Sequence, residues 1–369
     1  MASTTAYAEA GVDVARSEAV VERLRERLTG SGDLLGSLGG FGAALPIPSG
    51  YREPVIVTAT DGVGTKTELC RRLDRHDTIG RDLVAMCADD IVCHGATPAW
   101  FLDYLAVGRV DAARIVSIVG GIDGACREIG CELVGGETAE HPGVMGPDAF
   151  DLAGFCIGFV ERSALIDGQR TEPGDIVIGI ASSGLHANGY SLVRSVIDRE
   201  RIDLAMPLSE LARDRLGDAD AGNGTGAGDV TVGQALLEPT HIYAAAVLRE
   251  LAALADMGLR VGGLAHITGG GSPGNLPRAV RPDLGVIVDP GSWPEPLVCR
   301  LFGTLAGMDG AQRRSTFNAG IGMALVVEPQ AARHVIDALA QPFGGAWEIG
   351  RVVPASAVGS SRYAEGAIG

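Results

Sequence analysis

The sequence lacks the features of membrane and secreted proteins. No apolar run approaches the roughly 18 residues that would cross a bilayer. The first twenty residues have neither the basic start nor the apolar stretch of a secretory signal. Seven cysteines form no C-x-x-C pair, and Cys87, Cys93, Cys131 and Cys156 lie in apolar stretches typical of core thiols. We therefore expect a cytoplasmic protein with reduced cysteines and no membrane partner.

Basic residues are scarce, and lysine is nearly absent. Lys and Arg number 30 against 46 Asp and Glu, which gives a net charge of −16. A chain this acidic lacks the positive field that attracts nucleic acid, so no nucleic-acid partner is expected. Lys66 is the only lysine. Because arginine carries the positive charge everywhere else, Lys66 is expected where a compact ammonium is needed and a planar guanidinium does not fit.

Two common motifs are missing as well. The P-loop pattern G-x-x-x-x-G-K-[ST] and the zinc-protease pattern H-E-x-x-H do not occur. What the sequence does contain is glycine, 54 residues of 369, much of it clustered in polar segments. Such clusters are typical of loops where the backbone approaches a ligand closely.

Apolar patterning predicts an α/β (α+β) protein of two domains, residues 1–165 and 170–355, followed by a tail at 356–369. Residues 217–229 are acidic, glycine-rich and low in complexity, which indicates a mobile surface loop. Strands are predicted at 54–59, 101–107, 131–135, 150–160, 176–181, 284–288, 321–327 and 347–353. Helices are predicted at 14–28, 82–94, 111–128, 189–199, 234–256, 296–306 and 329–340.

The first polar segment, Asp61-Gly-Val-Gly-Thr-Lys66, follows a predicted buried strand. It offers a carboxylate, flexible backbone donors, a hydroxyl and an ammonium within six residues. Those groups are what a phosphate chain and its magnesium require. A simple turn at the strand end is the alternative, although it leaves the sole lysine unexplained.

Two further segments are acidic. In the predicted helix 81–94, Asp82 and Asp89 fall on nearly one line and Asp90 lies beside the apolar edge. This pattern fits either a solvated face or a metal site, with Asp89 the less favoured alternative to Asp90. The loop predicted at 136–148 offers Glu137, which could complete an acidic cluster for magnesium; a polar surface loop is the alternative.

The second half carries three polar segments, at 182–191, 266–278 and 315–322. Their Ser, Thr and Asn side chains and free N–H groups suit a sugar phosphate. Helix caps use the same residues, so each segment alone is a weak signal.

Taken in order, these segments resemble the phosphoribosylformylglycinamidine cyclo-ligase (aminoimidazole ribonucleotide synthetase) family, from about residue 6 to 355. The superfamily also contains selenophosphate synthetase and thiamine-monophosphate kinase. The resemblance lies in GGFGA (39–43), YREPVIVTATDGVGTK (51–66), DTIGRDLVAMCADDIVCHGATPAWFLDY (77–104), LVGGETAEHPG (133–143), GLHANGYSLVR (184–194), HITGGG (266–271) and TFNAGIGM (316–323).

This resemblance implies a homodimer whose N-terminal domains pair into a shared β-barrel. It implies ATP-dependent ring closure of formylglycinamidine ribonucleotide, a small-molecule substrate, to aminoimidazole ribonucleotide in purine biosynthesis. The reaction proceeds through an imidate phosphate and releases ADP and phosphate. ATP and Mg²⁺ are the implied cofactors, and a monovalent-cation requirement stays open.

The resemblance also implies site residues. Lys66, Asp61, His186 and His266 are the implied catalytic residues, and Asp61, Asp90 and Glu137 the implied metal ligands. Substrate binding is implied for Asn188, Thr268, Gly270 and Asn318. The implied ATP-binding residues are Gly40, Gly42, Asp61, Gly62, Gly64, Thr65, Lys66, Asp90, Gly136, Glu137 and Thr138.

Some positions depart from the family pattern. Gly274 stands where a Glu is usual, His141 and Met145 where Met and Tyr are more frequent, and Asp89 where Asn is common. Two alternative functions remain open. One is a small-molecule kinase or selenophosphate synthetase of the same superfamily. Selenophosphate synthetases generally carry a reactive cysteine or selenocysteine near the N-terminus, whereas the first cysteine here, Cys70, follows the Asp61–Lys66 segment. The other is a catalytically silent binding protein.

Overall fold

The computed structural model describes residues 42–217 and 230–367. The predicted helix at 14–28, Gly40 and all but the first residue of the predicted loop 217–229 lie outside these ranges. The N-terminal half forms strands β1 (Pro54–Gly62), β2 (Thr97–Val107), β3 (Glu132–Glu140) and β4 (Phe150–Glu161) and helices α1 (Lys66–Leu73), α2 (Ile79–Val92) and α3 (Ala112–Glu128).

The four N-terminal strands form one sheet in the order β1-β4-β2-β3. β4 is antiparallel to both β1 and β2, and β3 is parallel to β2. Residues of β4 alternate between buried and exposed along most of its length, as a strand with one covered face requires. Helix α2 covers the inner face, and Gly154 permits the close approach because a Cβ there would lie 2.9 Å from Cys87 Sγ. Among the residues that the structure describes, none covers the opposite face of the sheet.

The C-terminal half contains more helices and a larger sheet. Its helices are α4 (Tyr190–Glu200), α5 (Leu208–Leu216), α6 (Val232–Leu236), α7 (Ala244–Asp256), α8 (Gly271–Asn275), α9 (Leu297–Leu305), α10 (Gly310–Thr316) and α11 (Ala332–Phe343). Its strands are β5 (Ile176–Ala181), β6 (Val261–His266), β7 (Leu284–Val288), β8 (Ile321–Val327), β9 (Ala346–Pro354) and β10 (Tyr363–Glu365). Short 3₁₀ helices occur at Arg162–Ala164, Leu276–Ala279 and Ala355–Ala357.

The six C-terminal strands pair in the order β10-β7-β9-β5-β8-β6. Strands β5 and β8 are buried along their whole length, because both faces of this sheet are covered. Helix α11 packs on one face, and the segment Leu276–Val280 joins a separate apolar cluster on the other. Within the described residues, no helix is long and apolar enough to cross a membrane.

Several predicted boundaries are corrected by the structure. β3 continues through Glu140, so the segment 136–140 is a strand where a loop was predicted. The predicted helix 234–256 is two helices, α6 and α7, joined by residues 237–243. The predicted tail contains β10, which adds an edge strand beside β7. Cys87, Cys131 and Cys156 are buried as expected, whereas Cys93 is half-buried.

Candidate functional site

The two halves of the chain meet at a cavity of about 410 Å³. It lies beside β1, the edge strand of the N-terminal sheet, and its walls include Thr60 from β1 and Asp90 from the end of α2. The C-terminal domain contributes His266, at the end of β6, and Asn275. Segments predicted to be polar and distant in sequence therefore share one cavity.

The three carboxylates of α2 all bind groups of the C-terminal half. Asp82 accepts hydrogen bonds from the backbone N–H and hydroxyl of Thr240 at 2.8 and 2.6 Å. Asp89 accepts from the N–H groups of Tyr243 and Ala244, both at 2.9 Å, and so stabilises the start of α7. Burial raises the pKa of Asp89 to about 7. This side of α2 is an interdomain contact rather than the solvated face that its spacing also allowed.

Asp90 is the carboxylate that remains partly open. Its Oδ1 lies 2.9 Å from Nδ1 of His266, and its side chain is 41% exposed. Burial acts to lower the pKa of His266, but the hydrogen bond to Asp90 and the charge of Asp89 outweigh it, so the pKa is raised. The pKa of Asp61 is also raised, first by burial and then by the charge of Asp90. His266 thus lies in one electrostatic cluster with the carboxylates of Asp61, Asp89 and Asp90.

The predicted triad of metal ligands is not assembled in one chain. Asp61 pairs with Gly154 on β4, and that row of the sheet continues through Asp103 to Gly136 on β3. Three strand spacings place Glu137 on the order of 14 Å from Asp61. Glu137 also faces the uncovered side of the sheet, beside Tyr104. In the described ranges, no group of three or more His, Cys, Asp or Glu residues could hold a metal ion.

Lys66 is placed differently from the prediction. It is the first residue of α1 and is completely buried. Its Nζ donates to Asp82 Oδ1 at 2.8 Å, to the His186 carbonyl at 2.9 Å and to the Glu238 carbonyl at 2.9 Å. Because an ammonium has three donors, none is left for a phosphate. The sole lysine connects the domains internally in this structure, and its role in ATP binding stays a prediction.

His186 and Asn318 are structural in this arrangement. Burial, and then the charge of His266, hold the pKa of His186 well below its usual range. Its Nε2 accepts from the Ser183 N–H at 3.2 Å. Asn318 is 2% exposed; its amide donates to the Gly184 carbonyl and its oxygen accepts from the Ser182 hydroxyl. Both side chains are buried here, and the catalytic and substrate-binding roles implied for them stay predictions.

Other predicted ligand-binding residues do line accessible surfaces. Gly64 adopts a left-handed φ of 51°. The hydroxyl oxygen of Thr65 lies 3.0 Å from that of Ser191. Asn188, half-buried, lies beside the exposed Gly269, the neighbour of Thr268 and Gly270. Gly42 and Gly62 are described but make no contact that defines a role, and Thr138 is a half-buried residue of β3.

Asp103 is a further acidic residue of the N-terminal sheet that motif analysis missed. It lies on the inner face of β2, and burial raises its pKa to about 7. Its Oδ1 would lie 2.2 Å from a Cβ at Gly136, so the paired glycines of β3 leave room for this carboxylate. The signal was an acidic residue inside an apolar strand, at Phe101–Leu105.

Comparison with family models gives the class of the protein. Residues 44–160 match the N-terminal domain of AIR synthase related proteins, and residues 172–361 match the C-terminal domain. The chain belongs to the AIR synthase related family.

Two curated relatives of high identity share one specific name. A phosphoribosylformylglycinamidine cyclo-ligase of Sorangium cellulosum is 46% identical over 349 residues, 94% of this chain and 95% of the relative. A protein of the same name from Paraburkholderia phymatum is 43% identical over 348 residues, 94% of this chain and 91% of the relative.

Solved structures share the fold. Thiamine-monophosphate kinase from Stenotrophomonas maltophilia has a TM-score of 0.61 at 20% identity, covering 91% of this chain and 93% of the kinase. Hydrogenase maturation protein HypE in complex with ATP has a TM-score of 0.62 at 18% identity, covering 93% and 88%. The predicted two-domain fold of this superfamily is confirmed.

Proposed function

We propose that this chain is an ATP-dependent cyclo-ligase that converts formylglycinamidine ribonucleotide to aminoimidazole ribonucleotide, ADP and phosphate, as a step of purine biosynthesis in the cytoplasm. The observation that carries the proposal is near-full-length identity of 40–46% to relatives bearing the cyclo-ligase name. The interdomain cavity supports it, because groups from both domains meet there at Asp90 and His266.

The reaction needs two displacements. The formyl oxygen first takes the γ-phosphoryl group of ATP, which turns a poor leaving group into phosphate. The amidine nitrogen then bonds to the former formyl carbon, the carbon–oxygen bond breaks, and phosphate leaves with that oxygen. Loss of protons restores the neutral imidazole. Such chemistry depends on positioning and charge neutralisation rather than on a protein nucleophile.

The cluster at the cavity suits a magnesium nucleotide. Burial and then the charge of Asp90 raise the pKa of Asp61, so the two carboxylates repel each other when no cation is bound. Mg²⁺ commonly takes one or two carboxylates and completes its shell with water and phosphate oxygens, so the pair fits without Glu137. Bound there, Mg²⁺ would neutralise charge on the phosphate chain. His266 would keep Asp90 oriented through its 2.9 Å contact.

A homodimer is part of the proposal. The uncovered face of the N-terminal sheet exposes Ile56 (60%), Tyr104 (42%) and Phe155 (39%). Large apolar side chains gathered on one face of a sheet indicate a surface that is covered by a partner. Pairing of two such faces would form the shared barrel, and Glu137 lies on that face.

The test is incubation of the purified protein with formylglycinamidine ribonucleotide and Mg-ATP. Aminoimidazole ribonucleotide, ADP and phosphate are expected in equal amounts, with the aromatic amine followed by diazotisation and ADP by a coupled assay. Omission of ATP is the control. Thiamine monophosphate serves as a competing acceptor: ADP formed with it, and no imidazole formed from the ribonucleotide, would show that the kinase alternative is correct.

A further inference from the structure

The cavity that contains Asp90 and His266 also has basic side chains in its wall. Arg278 and His94 line it, together with Thr58 of β1 and Gly168 of the interdomain segment. A Cβ at Gly263 of β6 would meet the Ala279 carbonyl, so the backbone next to Arg278 packs directly against β6.

Arg278 is a cation without a carboxylate partner among the described residues. Its side chain is exposed, and its one hydrogen bond runs from Nη1 to the Asn275 oxygen at 2.9 Å. Most ion pairs between described residues involve arginine, such as Arg260 with Asp175 and Arg313 with Glu295. Gly274, before Asn275, brings no carboxylate to this wall. The guanidinium therefore keeps most of its donors for a ligand.

The buried side chain of Asn275 fixes the orientation of the Arg278 guanidinium. Asn275 is 2% exposed, and its amide nitrogen donates to the Gly271 carbonyl at 2.9 Å and the Gly269 carbonyl at 3.2 Å. With its nitrogen held by the glycine loop, its oxygen points to the guanidinium. A planar fork held in place by a buried amide is suited to the oxygens of a phosphate.

Other polar groups share the cavity wall with Arg278. His94 donates Nδ1–H to the Ile166 carbonyl at 3.2 Å, so Nε2 is an acceptor in the neutral ring and becomes a donor to an anion only on protonation. Thr58 adds an exposed threonine. A carboxylate on this wall, Asp167, accepts the Gln169 N–H at 3.0 Å within its own turn. The cavity wall thus carries the partly exposed carboxylate of Asp90 and the guanidinium of Arg278.

We propose that Arg278 binds the phosphate monoester of the ribonucleotide substrate, with Asn275 as the residue that positions it. A phosphate bound at Arg278 keeps the rest of the ribonucleotide in the cavity that Asp90 and His266 also line. The inference rests on the proposed function for the identity of the substrate. The phosphate chemistry itself rests only on Arg278 and Asn275.

The decisive variant is Arg278→Gln, with Arg249→Gln as the matched control, because Arg249 is an exposed arginine of α7 outside the cavity lining. In Arg278→Gln, KM for the ribonucleotide is expected to rise about 10- to 100-fold, the range of a charge-assisted hydrogen-bond pair. KM for ATP and kcat are expected to stay within about twofold. Arg278→Lys should recover part of the loss, because it restores the charge without the fork.

Ribose 5-phosphate is a probe that needs no turnover. It is expected to compete with the ribonucleotide but not with ATP, and calorimetric binding to wild type should be lost in Arg278→Gln and retained in Arg249→Gln. A rise in KM for ATP instead would assign Arg278 to the nucleotide phosphates and overturn the proposal, as would unchanged constants. If wild type closes the ring and Arg278→Gln has the same KM for the ribonucleotide, the proposed phosphate site is wrong but the proposed function is correct. If no ring closes but ribose 5-phosphate binds through Arg278, the function is wrong and the phosphate site stands.

Discussion

Replacing Lys66 by Met tests whether the sole lysine is an interdomain connection or a ligand for phosphate. Met keeps the length of the side chain and removes its charge and donors. In the fully buried site, Asp82 would lose its cation but keep its charge, and the carbonyls of His186 and Glu238 would lose a donor. Asp82 would keep the two hydrogen bonds that Thr240 donates to Oδ1, but its Oδ2 has no hydrogen-bond partner and the buried charge would have no cation.

The expected cost follows from the burial of both partners. Breaking a buried ion pair by removing one partner costs about 3–5 kcal/mol, because the other charge is left in a medium of low dielectric constant. With roughly 2–4 °C per kcal/mol for domains of 150–250 residues, Tm is expected to fall by about 6–20 °C. Lys66→Arg should also destabilise, by about 1–3 kcal/mol, since a larger planar group must enter a closed site.

The measurement is chemical denaturation at fixed protein concentration, because dimerisation would make the midpoint depend on concentration. Arg249→Met, on the surface of α7, is the control and should change stability by no more than about 0.5 kcal/mol. Asp82→Asn and the double variant complete a cycle. The double variant should be less destabilised than the sum of the single variants by about 2–3 kcal/mol. If Lys66→Met lost turnover but kept its stability within about 1 kcal/mol, the lysine would be a ligand residue and our assignment would be refuted.

Three further outcomes are expected. Asp61→Asn should weaken Mg-ATP binding at least tenfold in calorimetry without lowering the Tm of the free protein, because it removes a carboxylate whose pKa is raised by burial. A loss of stability in the free protein as large as the loss of Mg-ATP binding free energy would contradict this. Gly121→Ala should destabilise the protein by about 1–3 kcal/mol, because its Cβ would lie 2.6 Å from the Asp77 carbonyl. Gly124→Ala on the same helix meets nothing within 4 Å and should stabilise the protein by about 0.5–1 kcal/mol. Equal shifts of Tm in the two variants would show that α3 can move away from Asp77. Replacing residues 218–229 by a linker of about five residues should leave activity unchanged, because the loop composition offers nothing apolar to bury; a folded but inactive variant would make that segment part of the site.

The sequence allowed most strands to be predicted because their apolar runs are long and uninterrupted. Ile176–Ala181 and Ile321–Val327 match their predicted bounds, since buried strands have a distinctive composition. β6 was missed because Gly262 and Gly263 dilute its apolar run; a Cβ at Gly263 would lie 1.9 Å from a carbonyl. The glycines are required by packing that no local pattern reveals. Gly269, Gly271 and Gly274, spaced as G-x-G-x-x-G, were the available signal that a strand precedes them.

The carboxylates of α2 show why a site is harder to predict than a fold. Periodicity placed Asp82 and Asp89 correctly on one line, but it could not show what that line faces. Their partners, Thr240 and the start of α7, lie more than 150 positions away in sequence. A row of like charges is stable on this helix because each carboxylate meets donors from the other domain. Docking of the domains and assembly of the Asp90–His266 pair of the cavity are therefore one event, and a substitution that loosens α2 should weaken ligand binding and interdomain stability together.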